Sequence, residues 1–145
     1  MENLKNIVKN HLSEGIFLMD LMHDPHSDFI KVTIDSPRNI PIEETSIIAK
    51  RIRNDHSIVS LFPNGCRLEV GTPGVGTSLV EKFQYKKNIG RKIFLEFYDD
   101  SSNIVSGIFL LSDVQYKGIM VSKNKNNYLV LFTDIVMAKI KVSFD

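Results

Sequence analysis

The residues best spaced for phosphate chemistry lie in one run, Arg67-Leu68-Glu69-Val70-Gly71-Thr72-Pro73-Gly74-Val75-Gly76-Thr77-Ser78. Gly71 and Gly76 stand at the outer glycine spacing of a P-loop, and Thr77 and Ser78 follow. A P-loop needs a lysine directly after its second glycine, to reach the β- and γ-phosphates. That position is Thr77, so the main charge interaction is missing. The glycine order is also not the dinucleotide-binding fingerprint. The run reads instead as a strand that enters a stiff connector. Leu68 and Val70 alternate with Arg67 and Glu69, a period of two. Three glycines and a proline in the six residues 71–76 then forbid both a continued ladder and a helix. Thr72, before Pro73, is pushed to an extended conformation. Gly71, Pro73, Gly74 and Gly76 are thus hinge or linker residues, with a positive φ expected at Gly71 or Gly74.

Other constellations carry less. Asp20, His23, Asp24, His26 and Asp28 gather five possible metal ligands around one turn. Zinc wants a fixed set of three or four ligands, usually with Cys or several His. Two histidines flanking Pro25 are better read as a charged hairpin tip, so no metal and no cofactor is expected. Cys66 alternates with Leu68 and Val70, which makes it a small core hydrophobe rather than a nucleophile. His11 lies beside the apolar stripe of a helix, as a boundary residue. Lys86, Lys87, Arg91 and Lys92 follow Phe83 and Tyr85. Cations beside aromatics can grip RNA backbone and bases; four charges are equally what a solvated surface carries, and both readings stand. No Ser/His/Asp order and no paired carboxylates emerge, so the residues read as a binding module rather than an enzyme, with no small-molecule substrate.

These residues must be positioned by a chain of 145 residues, enough for one ordinary domain or two very small ones. Hydrophobic content of 43% and charged content of 24% suit a globular protein. No apolar run reaches the length that crosses a bilayer, and the first residues lack a signal-peptide core. The lone cysteine, Cys66, excludes an intrachain disulfide and fits a reducing cytoplasm. Residues 1–72 carry 8 Lys/Arg and 10 Asp/Glu, a net of −2. Residues 73–145 carry 10 and 7, a net of +3. The basic side is the C-terminal half, although the total of +1 does not by itself announce a nucleic-acid binder.

Residues 3–14 read as a helix, with Leu4, Ile7, Val8 and Leu12 on one face and Gly15 as its stop. Residues 16–22 and Phe29–Asp35 read as strands joined by the turn His23-Asp24-Pro25-His26-Ser27-Asp28. A second helix is expected over Ile42–Arg53, its apolar face being Ile42, Thr45, Ile48, Ala49 and Ile52, and a third strand over 66–70. This makes residues 1–74 an αββαβ two-layer domain, helices on a sheet. In residues 75–145 a short helical piece at 79–85 precedes five strands, at Lys92–Tyr98, 104–111, Gly118–Lys123, 128–132 and 138–144. Short strands at this density suggest a small SH3-like or OB-type barrel, with most of Phe94, Phe97, Tyr98, Phe109 and Tyr128 in its core. The fold class is α+β.

With these elements in order, the chain resembles the bacterial ribosome maturation factor RimP family. Val32-Thr33-Ile34-Asp35-Ser36 is similar to the family's "IDS" end of strand two, and Ile42-Glu43-Glu44 to the opening of its second helix. Leu68-Glu69-Val70-Gly71-Thr72-Pro73-Gly74-Val75 resembles its most diagnostic stretch, Leu-Glu-Val-Ser-Ser-Pro-Gly-Leu. Phe132-Thr133-Asp134-Ile135 with Ala138 and Ile140 resembles its closing strand, and Phe83, Gly90 and Gly107 match further family positions. Two departures stand out: Gly76-Thr77-Ser78 replaces the usual Asp-Arg-Pro, and Met137 stands where the family often has lysine. The resemblance implies an αββαβ domain followed by an SH3-like, Sm-like barrel. It further implies a non-enzymatic, cytoplasmic and monomeric assembly factor for the 30S subunit. Its partners would be a small-subunit ribosomal protein and 16S rRNA in immature 30S particles. The residues expected to touch either come from the basic cluster itself, Lys86, Lys87, Arg91 and Lys92.

Overall fold

The structure is a computed structural model that describes residues 2–74 and 77–141. The chain divides into two compact units, Met1–Pro73 and Gly74–Asp145. Both mix helix and strand, and the fold class is α+β: among the described residues there are four helices, a three-stranded sheet and a five-stranded sheet.

In the first unit, helix α1 (Glu2–Lys9) leads to strands β1 (Phe17–Asp24) and β2 (Phe29–Asp35), helices α2 (Ile42–Arg53) and α3 (His56–Leu61), and strand β3 (Arg67–Gly71). The sheet order is β1-β2-β3. The β1–β2 pair is antiparallel, closed by a turn in which Asp24 accepts the His26 N–H at 3.0 Å and the Ser27 hydroxyl at 3.1 Å. The β2–β3 pair is parallel. Parallel strands cannot be joined by a tight turn, so α2 and α3 form the crossover. Alternation then sorts the side chains. Ile30, Val32 and Ile34 of β2 are wholly buried with Val8, Ile48, Ile52 and Ile58 from the helices. Phe29, Lys31, Glu69 and Arg67 take the other face, where the Arg67 guanidinium lies 4.7 Å from the centre of the Phe29 ring.

Helix α1 is shorter than the periodicity of residues 3–14 suggests. Its end tightens into three-residue bonds, from His11 N–H to Val8 C=O and from Leu12 N–H to Lys9 C=O. Leu12 still packs against the core from this turn. Helix α3 has no counterpart among the expected elements, because six residues show no helical period. Its start is marked by Asp55, whose carboxylate accepts the Ser57 N–H at 2.7 Å as an N-cap. Ile42, expected on the buried face of α2, is 80% exposed. It is the first residue of α2, after the N-cap Pro41, whereas Ile48, Ala49 and Ile52 are buried.

In the second unit, helix α4 (Lys82–Lys87) precedes strands β4 (Lys92–Tyr98), β5 (Ile104–Val114), β6 (Gly118–Lys123), β7 (Asn126–Leu131) and β8 (Ile135–Ile140), with a single 3-10 turn at Phe132–Asp134. The antiparallel order is β7-β6-β5-β4-β8. Register shifts at Ser112 and Val136 mark bulges, which increase local twist and bend the sheet. Tyr85, Ile93, Leu95, Phe109, Leu111, Ile119, Val121, Val130 and Ala138 form the core. The aromatic expectation is only partly met. Phe109 is buried and Phe97 packs against the core, but Tyr98 and Tyr128 are 44% and 43% exposed. Phe94 is two residues from Lys92 on β4, so the pleat puts it on the face opposite Ile93 and Leu95. Gly118 is required sterically: a Cβ there would meet the Val130 carbonyl oxygen at 2.2 Å.

Candidate nucleic-acid interface

The four cations singled out in the sequence lie around the joint between α4 and β4. The helix starts with a capping box: Gln84 Oε1 accepts the N–H of Glu81 at 3.0 Å, and the Glu81 side chain accepts an N–H in return. Lys86 and Lys87 occupy its last turn, where cations complement the helix dipole. Asn88 closes the helix by donating its side-chain N–H to the Gln84 carbonyl at 2.7 Å. Gly90 takes φ +94°, which a side chain would resist. Bonds from Gly90 N–H to Leu111 C=O (2.7 Å) and from Leu111 N–H to Arg91 C=O (2.9 Å) pin the turn to β5. Arg91 and Lys92 emerge exposed from this anchored joint.

Strand pairing then adds what the sequence reading missed. Lys141 donates its N–H to the Lys92 carbonyl at 3.0 Å, and Lys139 stands opposite Phe94. Period two carries Lys92 and Phe94 to one face of the sheet, and Lys139 and Lys141 to the same face. Three lysines thus share one face of the sheet with the half-buried Phe94, and Arg91 stands one residue before Lys92. Ile108 and Leu110 of β5, opposite Phe94 and Lys92, extend the apolar floor, and both are 38% exposed. Glu96 supplies a carboxylate further along the same face, so the cationic end is the one at Lys92. Cations that track phosphates around an aromatic on which a base can stack are the components of a single-stranded nucleic-acid site. The signal in the sequence is the Lys-Ile-Lys alternation at 139–141, which has meaning only once β8 is paired with β4.

The connector residues fall as follows. Gly71 ends β3 opposite Thr33, Pro73 closes the first unit and Gly74 opens the second. Gly76 lies outside the described residues. The expectation of a positive φ at Gly71 or Gly74 is not met: neither adopts one, and a Cβ at either would meet no atom within 4 Å. Gly71 is held as strand by its pairing, which any residue can satisfy. After the run, the Leu79 N–H donates to the Ala138 carbonyl at 2.7 Å and the next helix begins at Lys82. Among the described residues of the run, none stands at the start of a helix, where a phosphate loop would deliver its N–H groups.

The potential metal ligands of the β1–β2 turn are dispersed by the pleat. Asp20 and Asp24 alternate to one face, and His23 points to the other, edge-on to Phe62 at 5.3 Å. Among the described residues no group of three His, Cys, Asp or Glu comes together to hold a metal. His11 does more than sit at a boundary: its Nε2 lies 2.6 Å from Asp55 Oδ2 and ties the end of α1 to the cap of α3. This bond holds the Asp55 carboxyl below its ordinary value. Cys66 is half-buried against the first core, and burial pushes its thiol up, away from nucleophilic use.

A groove of about 390 Å³ in the second unit is lined by Leu79, Val80, Lys82, Tyr85, Tyr116 and Phe132, among others. Burial pushes the Tyr85 phenol up to about 12, and its hydroxyl donates to the Leu79 carbonyl at 3.3 Å. That phenol is thereby kept as a structural donor. Among the described residues no helix is long and apolar enough to cross a membrane. No family model matches the chain.

Proposed function

We propose that this chain is a non-enzymatic assembly factor of the RimP type, which binds immature 30S subunits transiently in the cytoplasm as a monomer. The run Leu68–Val75 and the motifs at 32–36, 42–44 and 132–140 support the family reading. The order β7-β6-β5-β4-β8, with bulges at Ser112 and Val136, supports an SH3-like, Sm-like barrel for the second unit. The order α1-β1-β2-α2-α3-β3 supports an αββαβ domain with one added short helix. The single observation that carries the RNA half is the basic face at Lys92, Phe94, Lys139 and Lys141. It suits 16S rRNA, while the net of −2 over residues 1–72 suits a basic small-subunit ribosomal protein.

The test is sedimentation of the purified protein with ribosomal fractions from its own host. Co-migration with free 30S particles but not with 70S ribosomes is the expected result. Absence from both at low salt would remove the assembly reading. A general RNA-binding adaptor that uses the same basic face is the second reading. An adaptor would bind unrelated single-stranded RNA as tightly as 30S particles, and would lose both steeply with salt by counterion release.

A further inference from the structure

We infer that the free edge of β7 is a docking site for an extended peptide segment with alternating apolar residues and acidic side chains at one end. The two edges of the five-stranded sheet differ. The edge at β8 is occupied in part by the chain itself, through the Leu79 N–H to Ala138 C=O bond and the Ser78–Lys139 bridge. Among the described residues β7 pairs only with β6. Phe132 N–H donates to Lys117 C=O at 3.0 Å, which fixes the phase of this ladder. Counting back by twos, Val130, Tyr128 and Asn126 direct their N–H and C=O groups to β6. Asn127, Leu129 and Leu131 therefore direct theirs outward. Leu129 is 52% exposed and Leu131 38%, and both side chains lie on the outer face of the sheet.

Edge strands are ordinarily guarded by charge, proline or a covering segment. The strand Asn126-Asn127-Tyr128-Leu129-Val130-Leu131 has no charge and no proline. Its charge lies at the hairpin tip. Asn124 and Lys125 take φ of 52° and 69°, both left-handed as a two-residue hairpin turn requires. Lys123 and Lys125 stand on either side of Asn124, and residues 118–131 contain no carboxylate. The Lys123 ammonium turns back over the Phe109 ring of β5, 5.2 Å from its centre, so an acidic residue at the near end of an added strand would lie in the field of Lys125. A phosphodiester backbone cannot match alternating N–H and C=O groups, so the edge calls for a peptide. A second copy fits less well. Stable interfaces use about 20–30 residues a side, and β7 offers six. Strand addition draws its affinity from main-chain bonds and needs no more than this. The inference stands independently of the ribosomal reading.

The experiment uses the full chain, isotope-labelled, with two synthetic peptides of alternating valine and threonine. One carries glutamates at both ends and its twin carries lysines. The expected result is slowed amide exchange at Asn127, Leu129 and Leu131 with the acidic peptide, at least tenfold weaker binding of the basic twin at low salt, and loss of protection in Leu129→Pro. Leu129→Asp keeps the backbone donor but repels the acidic peptide, so it should also lose binding if the proline variant fails to fold. No protection at these three amides would overturn the inference. So would equal affinity for the twins, or protection without peptide that grows with protein concentration as a dimer sediments.

Discussion

The two sheets obey the same alternation and put their outer faces to opposite uses. In the first unit, the face away from the helices interleaves signs. Lys31 stands opposite Glu69 and Met22, and Arg67 stacks on Phe29 opposite Asp24. Each cation has a carboxylate or a ring within one strand, so the field cancels locally. In the second unit, Lys92, Lys139 and Lys141 share one face with Phe94, Ile108 and Leu110. There the field accumulates over an apolar floor. The halves carry nets of −2 and +3, and arrangement sharpens the contrast: signs interleave on one face, where Asp20 adds a further carboxylate, while three lysines share the other. Local arrangement, rather than total charge, decides what a sheet face can bind.

Substitutions in the cores should disturb this contrast most. Leu95→Ala in β4 and Ile30→Ala in β2 each remove a wholly buried side chain. Each should cost about 2–5 kcal/mol in denaturant unfolding. If Leu95→Ala is neutral, the second sheet has no packed inner face and its outer face is not defined by the pleat. Gly118→Ala comes next. Its Cβ would strike the Val130 carbonyl at 2.2 Å, so β6 and β7 must separate. A loss of about 1–3 kcal/mol is expected, as for overpacking. An unchanged midpoint would show a looser hairpin.

The faces themselves are tested by charge reversal. Lys92→Glu with Lys139→Glu should weaken single-stranded RNA binding. It should also flatten the salt dependence, by about 0.7 in the slope of log K against log salt for each phosphate no longer neutralised. Lys31→Glu in the first unit should leave both unchanged. Equal losses from both units would erase the distinction. A smaller effect concerns pH. Asp55 is held below its ordinary 3.8 by the His11 bond and then by the Ser57 N–H. A depressed carboxyl contributes stability that is complete above that ordinary value and is lost as pH falls through the lower folded one. Acid unfolding of Asp55→Asn should therefore depend less on pH below 3.8 than the parent does. The smallest effect is expected at the connector. Gly71→Val, in open space at an ordinary φ, should change stability by no more than about 0.5 kcal/mol.

The chain's own pattern reveals some of these features and hides others. The bounds of β2, α2, β4 and β6 follow directly from period, proline and turn chemistry, because each buries one face against a core. Helix α3 is not legible in this way: its six residues are helical because Asp55 caps them and Ile58 is buried. Phe94 is misplaced when aromatic content is read as burial, although its parity with Lys92 already opposes that. Lys86, Lys87, Arg91 and Lys92 are visible as a cluster in the chain. Lys139 and Lys141 are not, since they join Lys92 only through the pairing of β4 with β8.

Repeating patterns in the amino-acid order are enough to define an αββαβ first half, a strand-rich second half, a glycine-proline connector without the P-loop lysine, and the basic character of that second half. Those features depend on neighbours within a few residues, where backbone sterics and side-chain period act. Folding in three dimensions decides which cations share a face, which edge of the five-stranded sheet is left open, and that Gly71 needs no special backbone. Strand register sets all three, and register is a long-range choice made when both faces of a sheet find their partners.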